Sequence, residues 1–278
     1  MSTATGKLKS SIIISVYDDC SALRLILDSL HQQTTNDFEI IISEDGESEQ
    51  IKKFIEDYDK SSFHIQHLTQ KDSGFRKNIA LNRAISTANT DHIIFIDGDC
   101  VPHTGFIAAH QLFSGPGIAC TGRRLELGTK ISTKLRTGQI DVSYLTNRFF
   151  YLLHMPALQL DKAKNIESGI YSKWLHKLTK DKEIRLLGCN FSCDKKDLIK
   201  INGFNEDYLS PGIGEDSDID WRLIRSGVTI KNVKFSAIQY HLYHPRSYVV
   251  SKKNTELFEE MKQSDAYVCN HGINQSGN

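Results

Sequence analysis

Three continuous apolar runs, rich in isoleucine, recur in the first hundred residues. They lie at 11–16, 38–43 and 92–96. Segments with the apolar spacing of a helix alternate with them, at 22–33, 50–58 and 77–87. Uninterrupted apolar strands that alternate with helices are typical of a parallel sheet buried on both faces. The pattern predicts a doubly wound α/β unit, and 63–68 fits it as a weaker strand.

Polar residues follow each of the three apolar runs. The first is followed by Asp18 and Asp19, the second by Glu44 and Asp45, and the third by Asp97-Gly98-Asp99. Ligands of doubly wound sheets bind beyond the carboxyl ends of the strands. These strand ends are therefore the predicted ligand site.

The pattern changes after Gly122. The stretch 123–181 carries many basic and aromatic residues without a clean strand signal, so we interpret it as an insertion over one face of the sheet. The elements predicted beyond it are a strand at 188–193, a helix from Lys195, a helix that ends near 226, strands at 228–235 and 237–240, a helix at about 248–262, and a frayed tail at 272–278.

Neither repeats nor low-complexity linkers interrupt the chain, so we expect one domain over residues 1–278. Within it, 11–122 holds the predicted strand-end ligand site, 123–246 the insertion and the elements after it, and 247–278 a C-terminal helix and tail.

Composition narrows the functional classes. Acidic and basic residues balance at 34 each, which disfavours a nucleic-acid partner. The six cysteines lack the CxxC spacing of zinc or redox sites, and we interpret them as reduced thiols. No apolar run is long enough for a signal peptide or a membrane span. These features favour a cytoplasmic protein.

Asp97-Gly98-Asp99 offers two carboxylates around a glycine at a strand end. Carboxylate and phosphate oxygens can share Mg²⁺ or Mn²⁺, and glycine lets a diphosphate approach the backbone. Asp-Gly is also common in ordinary turns. Glu44 and Asp45 end a neighbouring strand, and clustered carboxylates persist mainly where a cation or polar ligand stabilises them.

The acidic run from Gly214 to Asp218 precedes an amphipathic helix. Helix capping alone explains acidic residues there, whereas the functional alternative is a carboxylate that acts as general base. His241 and His244 follow a predicted strand, and either could bring an imidazole to the metal.

Arg76, Lys77 and Asn78 lie where a helix begins, after Gly74. Cationic side chains and helix N-terminal amides could meet a phosphate there. The two cations could equally be solvated surface charges.

Together these residues resemble the nucleotide-diphospho-sugar glycosyltransferases of family 2, which have the GT-A fold, over residues 11 to about 246. The resemblance makes 11–122 the nucleotide-sugar-binding half and 123–246 the acceptor-binding and catalytic half. By that resemblance Val16 and Tyr17 lie in the first nucleotide-contacting segment, and Asp45 contacts the base. Arg76 or Lys77 would help to hold the nucleotide.

Asp97-Gly98-Asp99 matches the family's DxD motif, in which the first carboxylate approaches the ribose or sugar and the second binds the metal. Gly214-Glu215-Asp216-Ser217-Asp218 resembles a segment of β-galactosyl- and N-acetylgalactosaminyltransferases and chondroitin-polymerase-like enzymes. The resemblance makes Asp216 the catalytic base, beside Glu215, and His241 or His244 a metal ligand, with His241 preferred. Glu44 and Glu47 depart from the family's Asp-Asp-Gly-Ser.

The resemblance implies an inverting, Mn²⁺- or Mg²⁺-dependent transferase in polysaccharide, lipopolysaccharide or capsule synthesis. It implies a UDP-sugar donor, with galactose or N-acetylgalactosamine favoured, and an oligosaccharide or lipid-linked glycan acceptor. With a lipid-linked acceptor we expect the protein to be peripheral at the inner face of the plasma membrane. Two alternatives stay open, a sugar nucleotidyltransferase and an inactive glycan-binding scaffold. The first would place a glycine-rich basic loop after the first strand, where Asp18-Asp19-Cys20-Ser21 stands.

Overall fold

A computed structural model describes residues 7–58, 63–245 and 251–275. The strands are β1 Ser10–Val16, β2 Phe38–Glu44, β3 Ile65–Leu68, β4 His92–Asp97, β5 Cys100–Pro102, β6 Ile118–Thr121, β7 Arg123–Glu126, β8 Asn190–Asp194, β9 Thr229–Asn232 and β10 Ile238–His241.

The helices alternate with these strands in the first half and cluster in the second. They are α1 Cys20–His31, α2 Glu49–Asp57, α3 Lys77–Thr87, α4 Phe106–Phe113, α5 Thr129–Arg136, α6 Ser143–Thr146, α7 Arg148–Leu160, α8 Lys173–Thr179, α9 Lys195–Lys200, α10 Asp216–Arg225 and α11 Lys252–Ser264, with short 3-10 turns at Ile166–Gly169 and Ile273–Gln275. Among the residues described, no helix combines the length and apolarity that crossing a bilayer requires.

A seven-stranded sheet forms the centre of the fold, in the order β3-β2-β1-β4-β8-β6-β9. Only β8 runs antiparallel to its neighbours β4 and β6. The central strands of the sheet are apolar on both faces because helices cover both faces. Ile12, Ile13 and Ile14 are all fully buried. The predicted doubly wound, mostly parallel α/β sheet is confirmed.

The register of the sheet brings the predicted strand ends together. Val16 pairs with Glu44 across β1 and β2, and Ser15 pairs with Asp97 across β1 and β4. Because these three strands are parallel and in step, their carboxyl ends open on one edge of the sheet. The polar residues after them therefore share one cleft.

A second, three-stranded sheet, β5-β10-β7, lies beside that edge. The prediction that 123–181 contains no strand was wrong at its start, since β7 pairs with β10 there. Strands β5 and β6 and helix α4 were also missed. These strands have only three or four residues each, too few to show a periodicity.

Two further predictions near the C-terminus need correction. The strand predicted at 228–235 extends only over β9, and Phe235 has a φ of 67°, outside strand geometry. The tail is ordered through residue 275, because the Ile273 N–H donates to the Asn202 carbonyl and Cys269 is buried. Residues 248–250 of the predicted last helix and 276–278 of the tail lie outside the described residues; α11 begins at Lys252, capped by Ser251.

Candidate active site

Three predicted metal ligands converge where the two sheets meet. Strand β10 pairs with β5, so His241 lies opposite Cys100, and the Leu242 N–H donates to the Asp99 carbonyl at 2.9 Å. The Asp99 Oδ2 atom lies 3.3 Å from His241 Nε2 and 3.2 Å from His244 Nε2. The ligand atoms of the three residues lie within 4.8 Å of one another, close enough to share one ion.

The electrostatics of this cluster also suit a cation. Burial works against the Asp99 charge, yet hydrogen bonds from His241 and His244 hold its pKa well below the usual range. The hydrogen bond with Asp99 raises the pKa of His244 despite partial burial. One carboxylate and two imidazoles form a donor set that fits Mn²⁺ and leaves positions for phosphate oxygens. Both histidines, rather than one, lie within reach.

Lys77 and two acidic residues form a second polar cluster. Lys77 is the first residue of α3, and its ammonium lies 2.7 Å from Asp97 and also contacts Glu215. Burial disfavours the charged lysine, but these two carboxylates raise its pKa well above its ordinary value. Burial and repulsion from Asp97 and Asp216 raise the pKa of Glu215, although Lys77 opposes them. Two carboxylates thus share a single ammonium.

Asp216 lies at the start of α10, facing the same cleft. Its Oδ2 accepts the Gly188 N–H at 3.3 Å, and its Oδ1 has no hydrogen-bond partner within the described part of the chain. Of the carboxylates in the acidic run, Glu215 and Asp216 line the cleft. Asp218 instead forms a buried ion pair with Arg222, whose Nε lies 2.7 Å from Asp218 Oδ2. Glu215 and Asp216 therefore face the cleft, whereas Asp218 belongs to a buried ion pair.

Residues predicted to contact the nucleotide line the other side of the cleft. The Asp45 carboxylate accepts bonds from the Gln70 side chain at 2.7 Å and the Arg76 N–H at 2.7 Å. Tyr17 is 56% exposed, and its hydroxyl donates to Asp72 at 3.0 Å. Val16 is buried, and its carbonyl accepts the Asp45 N–H.

Gly98 is fixed by close packing. A Cβ atom there would lie 2.6 Å from the Ser15 carbonyl oxygen and 3.2 Å from Val16. Any other residue would push apart the ends of β1 and β4. The glycine of the Asp97-Gly98-Asp99 motif therefore keeps the two carboxylates at the floor of the cleft.

Two predicted nucleotide contacts differ from the expectation. The guanidinium of Arg76 donates to the Lys71 carbonyl, so only its main chain supports Asp45. Asn78 is 1% exposed, and its amide donates to the Asn205 carbonyl at 2.7 Å. Neither side chain lines the cavities. Arg76 is the N-cap residue ahead of α3, and Asn78 points about 100° away from Lys77 around the helix. Of the three residues at this helix start, Lys77 is the one that lines the cleft.

Glu44, which stands where the family's Asp-Asp-Gly-Ser has its first aspartate, has a structural role. It is fully buried, accepts the Ser48 N–H at 2.6 Å, and lies 2.6 Å from His67 Nε2. Its longer side chain ties β2 to β3 and to the loop before α2. It shapes the loop that carries Asp45 and does not line the cleft.

The cleft consists of two joined cavities. One of about 720 Å³ is lined by Tyr17, Asp45 and Gly98 among others. The other, of about 490 Å³, is lined by Asp216 and Glu215. The residues that line both are Lys77, Asp97, Asp99, Pro211 and His244. A ligand can therefore extend from the strand ends, past the predicted metal ligands, to Asp216.

Arg124 is a site residue that the sequence did not single out. It lies on β7 opposite Gln239, lines the cavity of Asp216, and donates to the Cys189 sulfur at 3.3 Å. The pKa of Arg124 is raised overall, because the effect of Cys189, Cys100 and Asp97 exceeds the opposing effect of burial. Across the described residues it has no carboxylate within ion-pair distance, so its charge is available to a ligand.

Comparisons with known proteins agree with this arrangement. Residues 11–124 match the family model for glycosyl transferase family 2, and residues 173–245 match that for the N-terminal domain of galactosyltransferase. Chondroitin synthase of Escherichia coli is 25% identical over 84% of the chain, and hyaluronan synthase of Pasteurella multocida is 26% identical over 84%. The chain spans 35% and 24% of these two relatives.

Solved structures show the same fold. A mannosyltransferase from Pyrobaculum calidifontis, in complex with GDP-Man and Mn²⁺, aligns over 88% of this chain and 59% of its own with a TM-score of 0.56 and 14% identity. GalNAc-T7 with UDP, GalNAc and Mn²⁺ aligns over 92% of this chain and 48% of its own, with a TM-score of 0.62 and 13% identity. Likeness at this level of identity concerns the fold alone.

Proposed function

We propose that this chain, which belongs to the family 2 glycosyltransferases and has the GT-A fold, transfers a sugar from a UDP-sugar to a hydroxyl of a carbohydrate acceptor, with inversion. The observation that carries the proposal is the placement of Asp99, His241, His244 and Asp216 around one cavity of about 490 Å³. The adjoining cavity at the strand ends has room for a nucleotide beside Asp45 and Tyr17.

Asp99, His241 and His244 would hold Mn²⁺, or Mg²⁺, and the bound ion would neutralise charge that develops on the departing diphosphate. Lys77 and Arg124 add fixed positive charge on the same side of the site. Asp97 accepts a hydrogen bond from Lys77, and its carboxylate would approach the ribose or sugar of the donor.

Asp216 is the proposed general base. Its free Oδ1 takes the proton of the acceptor hydroxyl while the hydroxyl oxygen forms the bond to the anomeric carbon. The bond between that carbon and the diphosphate oxygen breaks on the opposite side, so the configuration inverts and UDP carries away the electron pair. Glu215 is less suited to this step because its carboxylate contacts Lys77; we assign it to positioning Lys77.

The donor and pathway are proposed from the resemblance and the relatives. Galactose or N-acetylgalactosamine is favoured as the donor sugar, and the names of the relatives, chondroitin synthase and hyaluronan synthase, favour synthesis of a polysaccharide. We place the reaction in the cytoplasm, with a free oligosaccharide or a lipid-linked glycan as acceptor.

A panel of UDP-sugars with Mn²⁺ tests the proposal. UDP release is measured for each donor, with and without EDTA, and binding of UDP is followed by calorimetry. We expect turnover of at least one donor that EDTA abolishes and added Mn²⁺ restores. A protein that binds no UDP-sugar and no Mn²⁺ would contradict the proposal and favour a glycan-binding scaffold.

A further inference from the structure

Helix α7 is apolar on two opposite sides. Tyr151 and Leu158 face the protein and are 3% and 0% exposed. On the solvent side, Phe149, Leu153 and Leu160 are 71%, 59% and 84% exposed. A helix that covers a core normally presents polar side chains to water on its outer face. This helix does not.

The exposed apolar residues form a continuous stripe. At about 100° per residue, positions 149, 152, 153, 156 and 160 fall within roughly one 100° arc and extend over about 16 Å of the helix. They are Phe149, Leu152, Leu153, Pro156 and Leu160, and no charged side chain lies among them. Single exposed apolar residues are ordinary, whereas a contiguous stripe marks an interaction surface.

Unpaired lysines lie at the C-terminal end of the stripe. Lys130, Lys162 and Lys164 are exposed, and within the described ranges none has a carboxylate within ion-pair distance. Asp161 lies at the same place but uses its two oxygens to accept the N–H groups of Lys130 and Ile131, at 3.0 and 2.8 Å. Glu126 and Asp161 line the same cavity as Lys162 and Lys164, so the three lysines outnumber the carboxylates beside them. An apolar stripe that ends in an excess of positive charge is complementary to an anionic membrane surface.

The same helix end borders the active site. A cavity of about 390 Å³ is lined by Asp161, Lys162 and Lys164 together with His241 and His244. A surface that lies along α7 would therefore be next to the opening that leads to the proposed metal ligands.

We propose that α7 docks this protein on an anionic lipid surface, so that a lipid-linked acceptor enters through this cavity. The role of the cavity rests on the proposed function; the docking itself does not. A second copy of the chain could cover the apolar stripe, but it would bring the same excess of lysines over carboxylates. Anionic headgroups complement both the stripe and the cations.

Vesicle cosedimentation tests the docking. The wild type should bind vesicles that contain phosphatidylglycerol and bind pure phosphatidylcholine much less, with affinity falling as salt rises. Replacing Leu152 and Leu153 together with serine should lower the partition coefficient by at least about tenfold, because two exposed leucines leave the lipid interface. Both positions are solvent-exposed, so the thermal unfolding midpoint should not fall.

Two further variants make the test specific. Lys162→Glu with Lys164→Glu should remove the preference for anionic vesicles. Trp174→Ser with Leu178→Ser is the matched control, since these side chains on α8 are 67% and 56% exposed and lie outside the stripe; its vesicle binding should equal that of the wild type.

Three results would overturn the docking proposal. The first is no vesicle binding by the wild type, and the second is equal binding by the Leu152/Leu153 variant. The third is a wild-type dimer in solution that does not bind lipid and that becomes a monomer in this variant.

Activity separates the two proposals, because the Leu152/Leu153 variant should transfer sugar to a soluble acceptor at the wild-type rate. Vesicle binding by a protein inactive with every donor would leave docking standing and remove the transferase proposal.

Discussion

Replacing Lys77 with methionine removes the single cation that Asp97 and Glu215 share. The side chains are mostly buried, with relative exposures of 18% for Lys77, 28% for Asp97 and 17% for Glu215. Methionine has a similar length and is apolar, so packing changes little while two carboxylates lose their partner. The variant therefore isolates the electrostatic part of this cluster.

The magnitude follows from that burial. Removing one partner of a fully buried ion pair costs about 3–5 kcal/mol, and the partial exposure here reduces the expected loss to about 2–4 kcal/mol at pH 7.5. The loss should depend on pH. Burial already raises the pKa of Glu215, and repulsion from Asp97 and Asp216 adds to the rise. Without Lys77, which opposes these effects, the pKa of Glu215 should rise further.

A group with a raised folded-state pKa takes up a proton in the folded protein before it does so in the unfolded chain. As pH falls from about 7.5 to about 5, the variant's Glu215 should become neutral and its stability should approach that of the wild type. Urea unfolding of the metal-free proteins at several pH values measures this difference.

Two controls accompany the measurement. Lys77→Arg keeps the charge and should lose much less stability, and Lys71→Met makes the same chemical change at an exposed position of the preceding loop. A Lys77→Met protein as stable as the wild type at pH 7.5, or a deficit that is the same at pH 5, would refute the reasoning.

Three other substitutions test separate parts of the structure. Gly98→Ala should weaken UDP binding by at least about tenfold in calorimetry, because its Cβ would lie 2.6 Å from the Ser15 carbonyl oxygen. Asp218→Ala should cost about 3–5 kcal/mol in urea unfolding, since Arg222 is fully buried and loses its only carboxylate partner in the described chain. Arg124→Gln should lower kcat about 100-fold, while Arg123→Gln, whose guanidinium bonds the Gly122 and Arg185 carbonyls, should not.

Much of the site could be predicted because its residues follow strongly apolar strands. Asp45 follows β2, Asp97 is the last residue of β4 and Asp99 lies just beyond it. Parallel strands in register bring such ends together whatever the loops do. The clustering of Asp99 with His241 and His244 needed a further condition, the pairing of β10 with β5.

The residues that sequence reasoning misplaced or missed depend on local direction and on short elements. Lys77 and Asn78 are neighbours in sequence, yet the helix points one into the cleft and the other toward Asn205. Arg124 lies on a four-residue strand with only one apolar residue, Leu125, so no pattern indicates that strand. Its place in the site is set by pairing with β10, more than a hundred residues later.

The most direct test of the proposed chemistry compares the wild type with Asp216→Asn in the presence of Mn²⁺ and the best UDP-sugar donor. Asparagine keeps the shape and cannot take the acceptor proton, so kcat should fall about 10²–10⁴-fold while UDP affinity stays unchanged, and the wild-type product should have the inverted anomeric configuration by NMR. An Asp216→Asn enzyme that turns over normally, or a product with retained configuration, would contradict the account.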